Sequence, residues 1–259
     1  MDAELIKAFF MGIVQGITEF FPISSTAHLI LMPKFFDWTG QLDSLSFDIA
    51  LHAGTLASLL VYFYRDWIDI FKNNRKLLLY LIIGTIPAGI IGVLFKDVIE
   101  TTLRYPVYIA AALATGSIVM IAAEKYGKSH QKKEGIKVFD ALFIGIAQAA
   151  ALIPGISRSG ITISAGLFRN MDRAGAARFS FLLSTPAITG AALLEARHML
   201  NNPTSLDYGL VGVGFAAAFI SGLLAIKFLM NFLKKYPLNL FIYYRFALAA
   251  AILLAYLLM

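Results

Sequence analysis

Apolar positions run almost continuously along this chain, and the places where polar residues interrupt them predict its architecture. Six stretches are long and apolar enough to cross a membrane as a helix, which takes about 20 residues and at least ~17. They cover residues 47–64, 77–95, 106–123, 179–196, 209–229 and 238–258. The pattern therefore predicts an all-α integral membrane protein with about six transmembrane helices.

Two further apolar stretches are broken in the middle by small and polar residues. Residues 5–36 contain Pro22 and then a Ser-Ser-Thr run, and residues 138–168 contain Pro154-Gly155 and then Ser157-Arg158-Ser159-Gly160. At 1.5 Å of rise per residue, the longest arm beside a break reaches only ~24 Å, less than the ~30 Å hydrocarbon core. Non-helical backbone at membrane depth is tolerated where protein buries it. We therefore interpret both stretches as re-entrant helix hairpins.

The two broken stretches resemble each other in sequence. Gly12-Ile-Val-Gln15 precedes the first break, Gly145-Ile-Ala-Gln148 precedes the second, and a serine-rich run follows each break. If each hairpin returns to the side from which it starts, the first opens outward and the second inward. This pattern predicts one membrane domain, residues 1–259, built as an inverted-topology repeat with repeat one at about 1–123 and repeat two at about 138–259. Such folds place functional sites near the midplane, between discontinuous helices.

The distribution of basic residues supports this topology, because cytoplasmic loops carry an excess of lysine and arginine. With two re-entrant hairpins, one side of the membrane receives 15 of the 22 lysine and arginine residues. They lie in loops at about 65–76, 124–137, 169–178 and 227–236. The other side receives only Lys7, Lys34, Lys96, Arg104 and Arg197. We assign the first group to the cytoplasm.

Composition agrees with a membrane protein and excludes several other classes. The 259 residues are 59% hydrophobic, with a mean hydropathy of +0.74, whereas soluble domains are roughly 45–50% apolar. The cytoplasmic loops account for the net charge of +6, so we expect no nucleic-acid partner. The absence of cysteine excludes disulfides and thiolate metal sites. Two acidic residues precede the first lysine, which argues against a removable signal peptide.

Charged and polar groups at the first break predict chemistry there. A charge at membrane depth costs at least ~2.5 kcal/mol on insertion scales, so such residues are functional by default. Gln15 and Glu19 share one helix face, where their oxygens suit a hard divalent cation such as Mg²⁺ or Ca²⁺. Ser25 and His28 share a face of the returning arm, whose free N–H groups form an anion site. The residues available to cap that arm are Ser24, Ser25 and Thr26.

The second break repeats this device and adds a guanidinium. Arg158 offers a planar fork suited to phosphate oxygens, at the start of an arm that runs to residue 168. Ser157, Ser159 and Thr162 are further candidate phosphate ligands, although plain helix capping accounts for Ser24, Ser159 and Thr162 equally well. Two helix N-termini, one arginine and a metal ion would together suit a diphosphate, so the sequence predicts a diphosphate site between the breaks.

Two segments carry a resemblance to a known family. Glu19-Phe-Phe-Pro-Ile-Ser-Ser-Thr-Ala-His28 and Pro154-Gly-Ile-Ser-Arg-Ser-Gly-Ile-Thr162 resemble the signature motifs of the undecaprenyl-diphosphate phosphatases, the bacitracin-resistance family. The resemblance implies a membrane phosphatase that converts a polyprenyl diphosphate lipid to undecaprenyl phosphate and inorganic phosphate, recycling the carrier lipid of cell-wall synthesis. It also implies a bacterial cytoplasmic (inner) membrane location, two re-entrant helix pairs and dependence on a divalent metal. Some members have two carboxylates where this chain has Gln15 and Glu19, so Glu19 is the main candidate metal ligand.

The resemblance carries the family's functional positions onto Ser25 and His28 of the first motif and Ser157, Arg158 and Thr162 of the second. Phosphoryl transfer needs mainly positioning and charge neutralisation, which Arg158, the helix ends and a metal at Glu19 would supply. Together these make Glu19, Ser25, His28 and Arg158 the candidate catalytic residues. The nucleophile is left open between Ser25, His28 and a water molecule.

Other interpretations compete with this one. The same cationic site could serve a transporter or flippase of polyprenyl phosphate, since broken helices at the midplane are a transporter pattern, and an inert homologue is a weaker rival. His52 is interpreted as structural, and Arg245 is expected to extend past Tyr243 and Tyr244 toward the cytoplasm. We expect the site to be reached from the outer face. The oligomeric state is left open, a homodimer included.

Overall fold

The computed structural model of the protein describes residues 3–127, 135–201 and 207–258, without the side chains of residues 45, 100 and 195–201. Three lysines used for the topology prediction, Lys128, Lys132 and Lys133, lie outside the described residues, as does the side chain of Arg197. Within the described residues the chain folds into twelve α-helices and two short 3-10 turns, with no strand. The prediction of an all-α protein is confirmed.

The helices follow one another with short connections. In chain order they are α1 (Ala3–Phe20), α2 (Ser25–Phe35), α3 (Leu45–Tyr62), α4 (Tyr64–Lys72), α5 (Arg75–Leu94), α6 (Lys96–Glu100), α7 (Pro106–Tyr126), α8 (Val138–Ala150), α9 (Arg158–Phe168), α10 (Arg173–Asn201), α11 (Tyr208–Phe232) and α12 (Asn239–Leu258).

Each of the six predicted spans coincides with a helix, namely α3, α5, α7, α10, α11 and α12. Five of them are by themselves long and apolar enough to cross a membrane. The sixth, α3, reaches this length and hydropathy only together with α4, from which it is separated by a bend of 67°. The described residues thus form a multi-pass membrane protein with five or six spans.

Both predicted breaks are present. Residues 21–24 separate α1 from α2, and residues 151–157 separate α8 from α9. With 13 residues in α8 and 11 each in α2 and α9, these arms are shorter than the ~17 residues that a span requires. At 18 residues, α1 is longer than any arm in the sequence-based estimate. The prediction of a loop at 65–76 was wrong in part, because α4 occupies most of this segment.

The two halves of the chain interlock through close helix packing. Helix α1 of the first half lies along α11 of the second, and α8 of the second half lies along α5 of the first. Only glycine fits at these crossings: a Cβ on Gly12 would lie 2.7 Å from that of Ala217, and a Cβ on Gly84 would lie 2.9 Å from the Ala141 carbonyl oxygen. Small residues at helix contacts are typical of membrane bundles. The inverted orientation of the halves stays a prediction.

Candidate active site

Each helix break ends in a serine that caps the following helix. Ser24 precedes α2 and accepts a hydrogen bond from Ala27 N–H at 3.4 Å, and Ser157 precedes α9 and accepts one from Gly160 N–H at 3.2 Å. Both serines have positive φ, 75° and 70°, a conformation that costs non-glycine residues energy and clusters at functional sites. The two breaks therefore share one backbone device, as the sequence similarity predicts.

The breaks are also bonded directly to each other. The Gly155 N–H of the second break donates to Ser24 Oγ of the first at 3.1 Å. In return, Ser159 Oγ of the second donates to the Phe21 carbonyl of the first, also at 3.1 Å. Residues more than 130 positions apart in the chain thus form one bonded unit, which brings the starts of α2 and α9 together.

Arg245 of α12 completes this junction, and its predicted orientation was wrong. Its side chain is fully buried and donates to the Pro22 carbonyl at 3.3 Å and to the Gly155 carbonyl at 2.9 Å, one in each break. It also bonds the Leu113 carbonyl and Ser117 Oγ of α7. The position of Arg245 in the sequence indicates its depth in the membrane but not which side of α12 it faces. Its hydrogen-bond partners could therefore not be predicted.

Glu19 lies at the centre of the bonded groups. One carboxylate oxygen accepts from the Arg158 guanidinium, and the other accepts from Ser25 Oγ at 2.6 Å and from Gln15 Nε2 at 3.1 Å. His52 Nε2 lies 3.8 Å from the same second oxygen. The Glu19 side chain is only 4% exposed. The Glu19 carboxylate therefore binds a hydroxyl with one oxygen and a guanidinium with the other.

These groups open onto a cavity of about 360 Å³. Its polar wall contains Glu19, Ser24, Ser25, Thr26, Ser157 and Arg158, all of which the sequence singles out. The lining also includes the apolar residues Leu152, Ala187, Ile188 and Ala191. The first residues of α2 and α9 border the same space, so two helix N-termini contribute N–H groups and positive potential to it. The arrangement suits an anionic head group attached to an apolar chain.

Four predicted site residues, Gln15, His28, Ser159 and Thr162, do not line the cavity. His28 Nδ1 donates to the Ser24 carbonyl at 2.8 Å, which leaves Nε2 to accept from the Tyr244 hydroxyl at 2.7 Å. Thr162 Oγ1 donates to the Arg158 carbonyl at 2.7 Å, and Ser159 bonds the Phe21 carbonyl. These side chains support the residues that line the cavity.

Residues 8–251 match the model of a family described as bacitracin resistance protein BacA. The chain belongs to this family. It is 58% identical to an undecaprenyl-diphosphatase of Thermodesulfovibrio yellowstonii over 253 residues, which cover 98% of each protein. It is 45% identical to one of Elusimicrobium minutum, with 96% and 97% covered, and 43% identical to one of Moorella thermoacetica, with 96% of each covered.

Three cavity residues of this BacA family member were missed or underrated by sequence reasoning. His52 was interpreted as structural, yet it lines the cavity and its Nε2 lies 3.8 Å from a Glu19 carboxylate oxygen. Asp48, one turn earlier on α3, and Arg104, from the turn before α7, line the same space. The signal for His52 and Asp48 was their spacing of four residues within a span, which puts two polar side chains on one helix face.

The family resemblance implies a divalent cation, and the described residues fit one only in part. No group of three or more His, Cys, Asp or Glu that could hold a metal occurs among them. Gln15 Oε1, however, is buried without a hydrogen-bond partner in the described part of the chain, one helical turn from the Glu19 carboxylate. Mg²⁺ is commonly held by one or two protein oxygens together with substrate phosphates and water. The site thus fits a cation shared with a phosphate substrate, not an all-protein cage.

Proposed function

We propose that this protein hydrolyses undecaprenyl diphosphate to undecaprenyl phosphate and inorganic phosphate. The observation that carries the proposal is the Ser25 hydroxyl hydrogen-bonded to the Glu19 carboxylate beside Arg158, between two helix N-termini. This is a nucleophile next to a base in a pocket with the positive potential that phosphoryl transfer requires. The names of the relatives, which cover nearly the whole chain, support the same substrate.

We assign the attack to Ser25. As Ser25 Oγ forms a bond to the terminal phosphorus, the bridging P–O bond breaks and undecaprenyl phosphate leaves, while Glu19 receives the hydroxyl proton. Arg158, released from Glu19 by the incoming diphosphate, neutralises charge on the phosphoryl oxygens. Glu19 passes this proton to the departing undecaprenyl phosphate and is then a base again. Water attacks the phosphoserine as Glu19 takes a proton from the water and returns it to Ser25 Oγ, which frees inorganic phosphate and restores the Ser25 hydroxyl.

The remaining predicted residues receive supporting roles in this proposal. Thr26, Ser157 and the N–H groups that follow Ser24 and Ser157 would bind phosphate oxygens at the cavity wall. His28 would act as a positioning residue, because both of its ring nitrogens are engaged by Ser24 and Tyr244.

A divalent cation, Mg²⁺ or Ca²⁺, belongs to the same proposal. Glu19 and Gln15 would hold it, and when bound it would offset the charge of the diphosphate. Gln15 Oε1 would be one ligand, since it has no hydrogen-bond partner among the described residues. The Glu19 oxygen that now accepts from Arg158 would be the other, which leaves the oxygen bonded to Ser25 to act as the base.

We further propose a location in the bacterial cytoplasmic membrane with the cavity reached from the outer face. Arg104 lines both the cavity and a neighbouring surface cleft that also contains Lys34, Thr101 and Thr102. These residues fall on the side that the loop charges assign to the outside. A basic cleft there would attract the diphosphate toward the cavity.

The mechanism can be tested by measuring phosphate release from undecaprenyl diphosphate by purified protein with Mg²⁺ or Ca²⁺. Arg158→Ala should lower kcat by about 10²–10³-fold, as loss of a charge-stabilising donor does, and Glu19→Ala by about 10²–10⁴-fold, as loss of a general base does. Arg178→Ala, which removes an ion pair with Asp66 away from the cavity, is the control and should retain activity. Normal release by both site variants would refute the residue assignment, and no release by wild type would favour a lipid carrier.

The nucleophile is decided by a rapid acid quench with substrate labelled on its terminal phosphate. Wild-type protein should retain label covalently at Ser25 within the first turnover, and Ser25→Ala should retain none. Phosphate release at the normal rate from Ser25→Ala would instead assign the attack to water.

A further inference from the structure

Gln148 is buried at the end of α8 without any partner for its amide group. Its side chain is 2% exposed, and neither Nε2 nor Oε1 has a hydrogen-bond partner among the described residues. Buried polar side-chain atoms are nearly always bonded in folded proteins. An amide with both ends unsatisfied is therefore unusual, since an apolar residue of the same size would be more stable at this position.

The position of Gln148 indicates which kind of group its amide could bind. The residue lies on the wall of the cavity together with Ser157 and Arg158, which begin the opposite arm of the same hairpin. A side-chain amide offers two N–H donors without adding charge. Beside a guanidinium and a helix N-terminus, the groups that such donors match are anionic oxygens, and the proposed substrate brings a diphosphate into this space.

The corresponding residue of the first hairpin shows why this amide is free. Gln15 occupies the same place in the repeated Gly-Ile-x-Gln motif, and its Nε2 donates to the carboxylate of Glu19, four residues later. Four residues after Gln148 the chain has Leu152, which has no acceptor. The same side chain in the same motif is therefore bonded internally in one hairpin and left available in the other.

We propose that Gln148 is a substrate-binding residue whose Nε2 donates to a non-bridging oxygen of the diphosphate. The inference rests on the proposed function for the identity of that anion. It adds a neutral donor on α8 to the charged donor Arg158 on α9, so that both arms of the second hairpin contact the substrate. Gln148 thereby distinguishes the two breaks: the first supplies the attacking hydroxyl and the carboxylate, and the second supplies the guanidinium and the side-chain amide.

The test uses Gln148→Met, which keeps the length of the side chain but removes its donors, and Gln148→Glu, which replaces a donor by a negative charge. Kinetic constants for undecaprenyl diphosphate and thermal midpoints are measured on the purified full-length protein with Mg²⁺. Gln148→Met should lower kcat/KM about 10- to 100-fold, equivalent to roughly 1.4–2.8 kcal/mol. Its midpoint without substrate should stay level or rise, because an unsatisfied polar group has been removed. Gln148→Glu should lose more activity than Gln148→Met.

Ser184→Ala is the matched control, since it removes a buried hydroxyl that bonds only its own helix at the Ser180 carbonyl. It should leave kcat/KM unchanged. Two results would overturn the proposal: unaltered kcat/KM in Gln148→Met, or a fall in its midpoint together with its activity. The second would indicate that the amide bonds an internal group or a fixed water.

If wild-type protein released no phosphate, the proposed function would fail but the inference could still be judged by binding. Undecaprenyl diphosphate should then raise the thermal midpoint of wild type more than that of Gln148→Met. Equal rises in the two proteins would overturn the inference on its own.

Discussion

The fully buried guanidinium of Arg245 bonds the two helix breaks to each other and to α7 through its three nitrogens. Two of the carbonyls that it bonds, those of Pro22 and Gly155, lie in non-helical backbone, where acceptors at membrane depth need a protein partner. The bulk of the side chain also excludes neighbours, since a Cβ on Gly116 would collide with it. A single residue thus provides the hydrogen-bond donor for one carbonyl in each break.

Replacing Arg245 should therefore affect stability more than any exposed arginine does. Arg245→Leu leaves several buried acceptors unsatisfied and should lower the free energy of unfolding by about 3 kcal/mol or more, because bonds to charged groups contribute roughly 1.5–3 kcal/mol each. Arg245→Lys keeps the positive charge but loses the planar guanidinium, so its stability should lie between those of wild type and Arg245→Leu. Thermal midpoints in detergent check this, with exposed Arg65→Leu as the control. A midpoint for Arg245→Leu equal to that of the control would contradict it.

The unpaired oxygen of Gln15 leads to a prediction about the cation. Chelation should abolish phosphate release, and added Mg²⁺ or Ca²⁺ should restore it. Gln15→Leu removes the ligand while Glu19 remains, so the cation concentration for half-maximal activity should rise about tenfold, in the range seen when a residue supporting a metal is lost. Titration of both proteins with Mg²⁺ at saturating substrate measures the shift. The same half-maximal concentration in both would remove Gln15 from the cation site.

Sequence reasoning at this scale identified types of residue better than directions of side chains. Glu19 and Arg158 stood out in the sequence because a charge inside an apolar stretch is costly to insert and is rarely kept there without a function. Ser25 stood out because it can cap the arm that follows the first break. The sequence could not predict that His52 lines the cavity and His28 does not. These placements depend on how α2 and α3 are rotated about their axes. That rotation is set by tertiary packing and is not encoded in the spacing of either histidine.

At the scale of secondary structure, the informative elements are the two short helices that begin at the breaks. Both α2 and α9 are 11 residues long and are capped by a serine with positive φ. Proline, glycine and serine runs locate such breaks reliably, because they end one helix and cap the next. The bend between α3 and α4 was missed, since Phe63, where it occurs, is an ordinary apolar residue without a proline or glycine beside it.

Substitutions at Ser24 separate the two functions of a cap. Ser24→Ala loses the acceptor for the Ala27 and Gly155 N–H groups while keeping a Cβ at positive φ, and should destabilise by about 1–2 kcal/mol. Ser24→Gly loses the same acceptor but relieves the backbone strain, so it should cost less. Chemical or thermal unfolding of the two variants provides the comparison. Equal losses would mean that the φ of 75° carries no strain.

At the scale of the whole molecule, hydropathy predicted the number of spans. It did not predict which helices of the two halves pack against each other. Apolar length is a local property, so six helices could be predicted one at a time. The contacts of α1 with α11 and of α8 with α5 join residues distant in the chain, and the small residues that allow them occur throughout membrane helices. Their pairing partners are therefore not specified by the glycine pattern.

The absence of native cysteine allows the membrane orientation to be tested directly. Single cysteines are introduced at Thr102, in the cleft beside Arg104, and at Lys76, at the start of α5, both of which are exposed. In intact cells a membrane-impermeant thiol reagent should label Thr102→Cys and should label Lys76→Cys only after the cells are opened. The reverse pattern would place the cavity mouth on the cytoplasmic side.

One helix of each hairpin packs against the other half of the chain, so cutting the chain between the halves would separate both pairs of packed helices. A fragment ending at residue 127 would leave α1 without α11, and a fragment beginning at residue 135 would leave α8 without α5. Each fragment made alone would expose the small residues of α1 or α8 to lipid. When both fragments are made together, each would provide the partner helix that the other lacks. Activity should consequently reappear by complementation when both fragments are produced in the same cell.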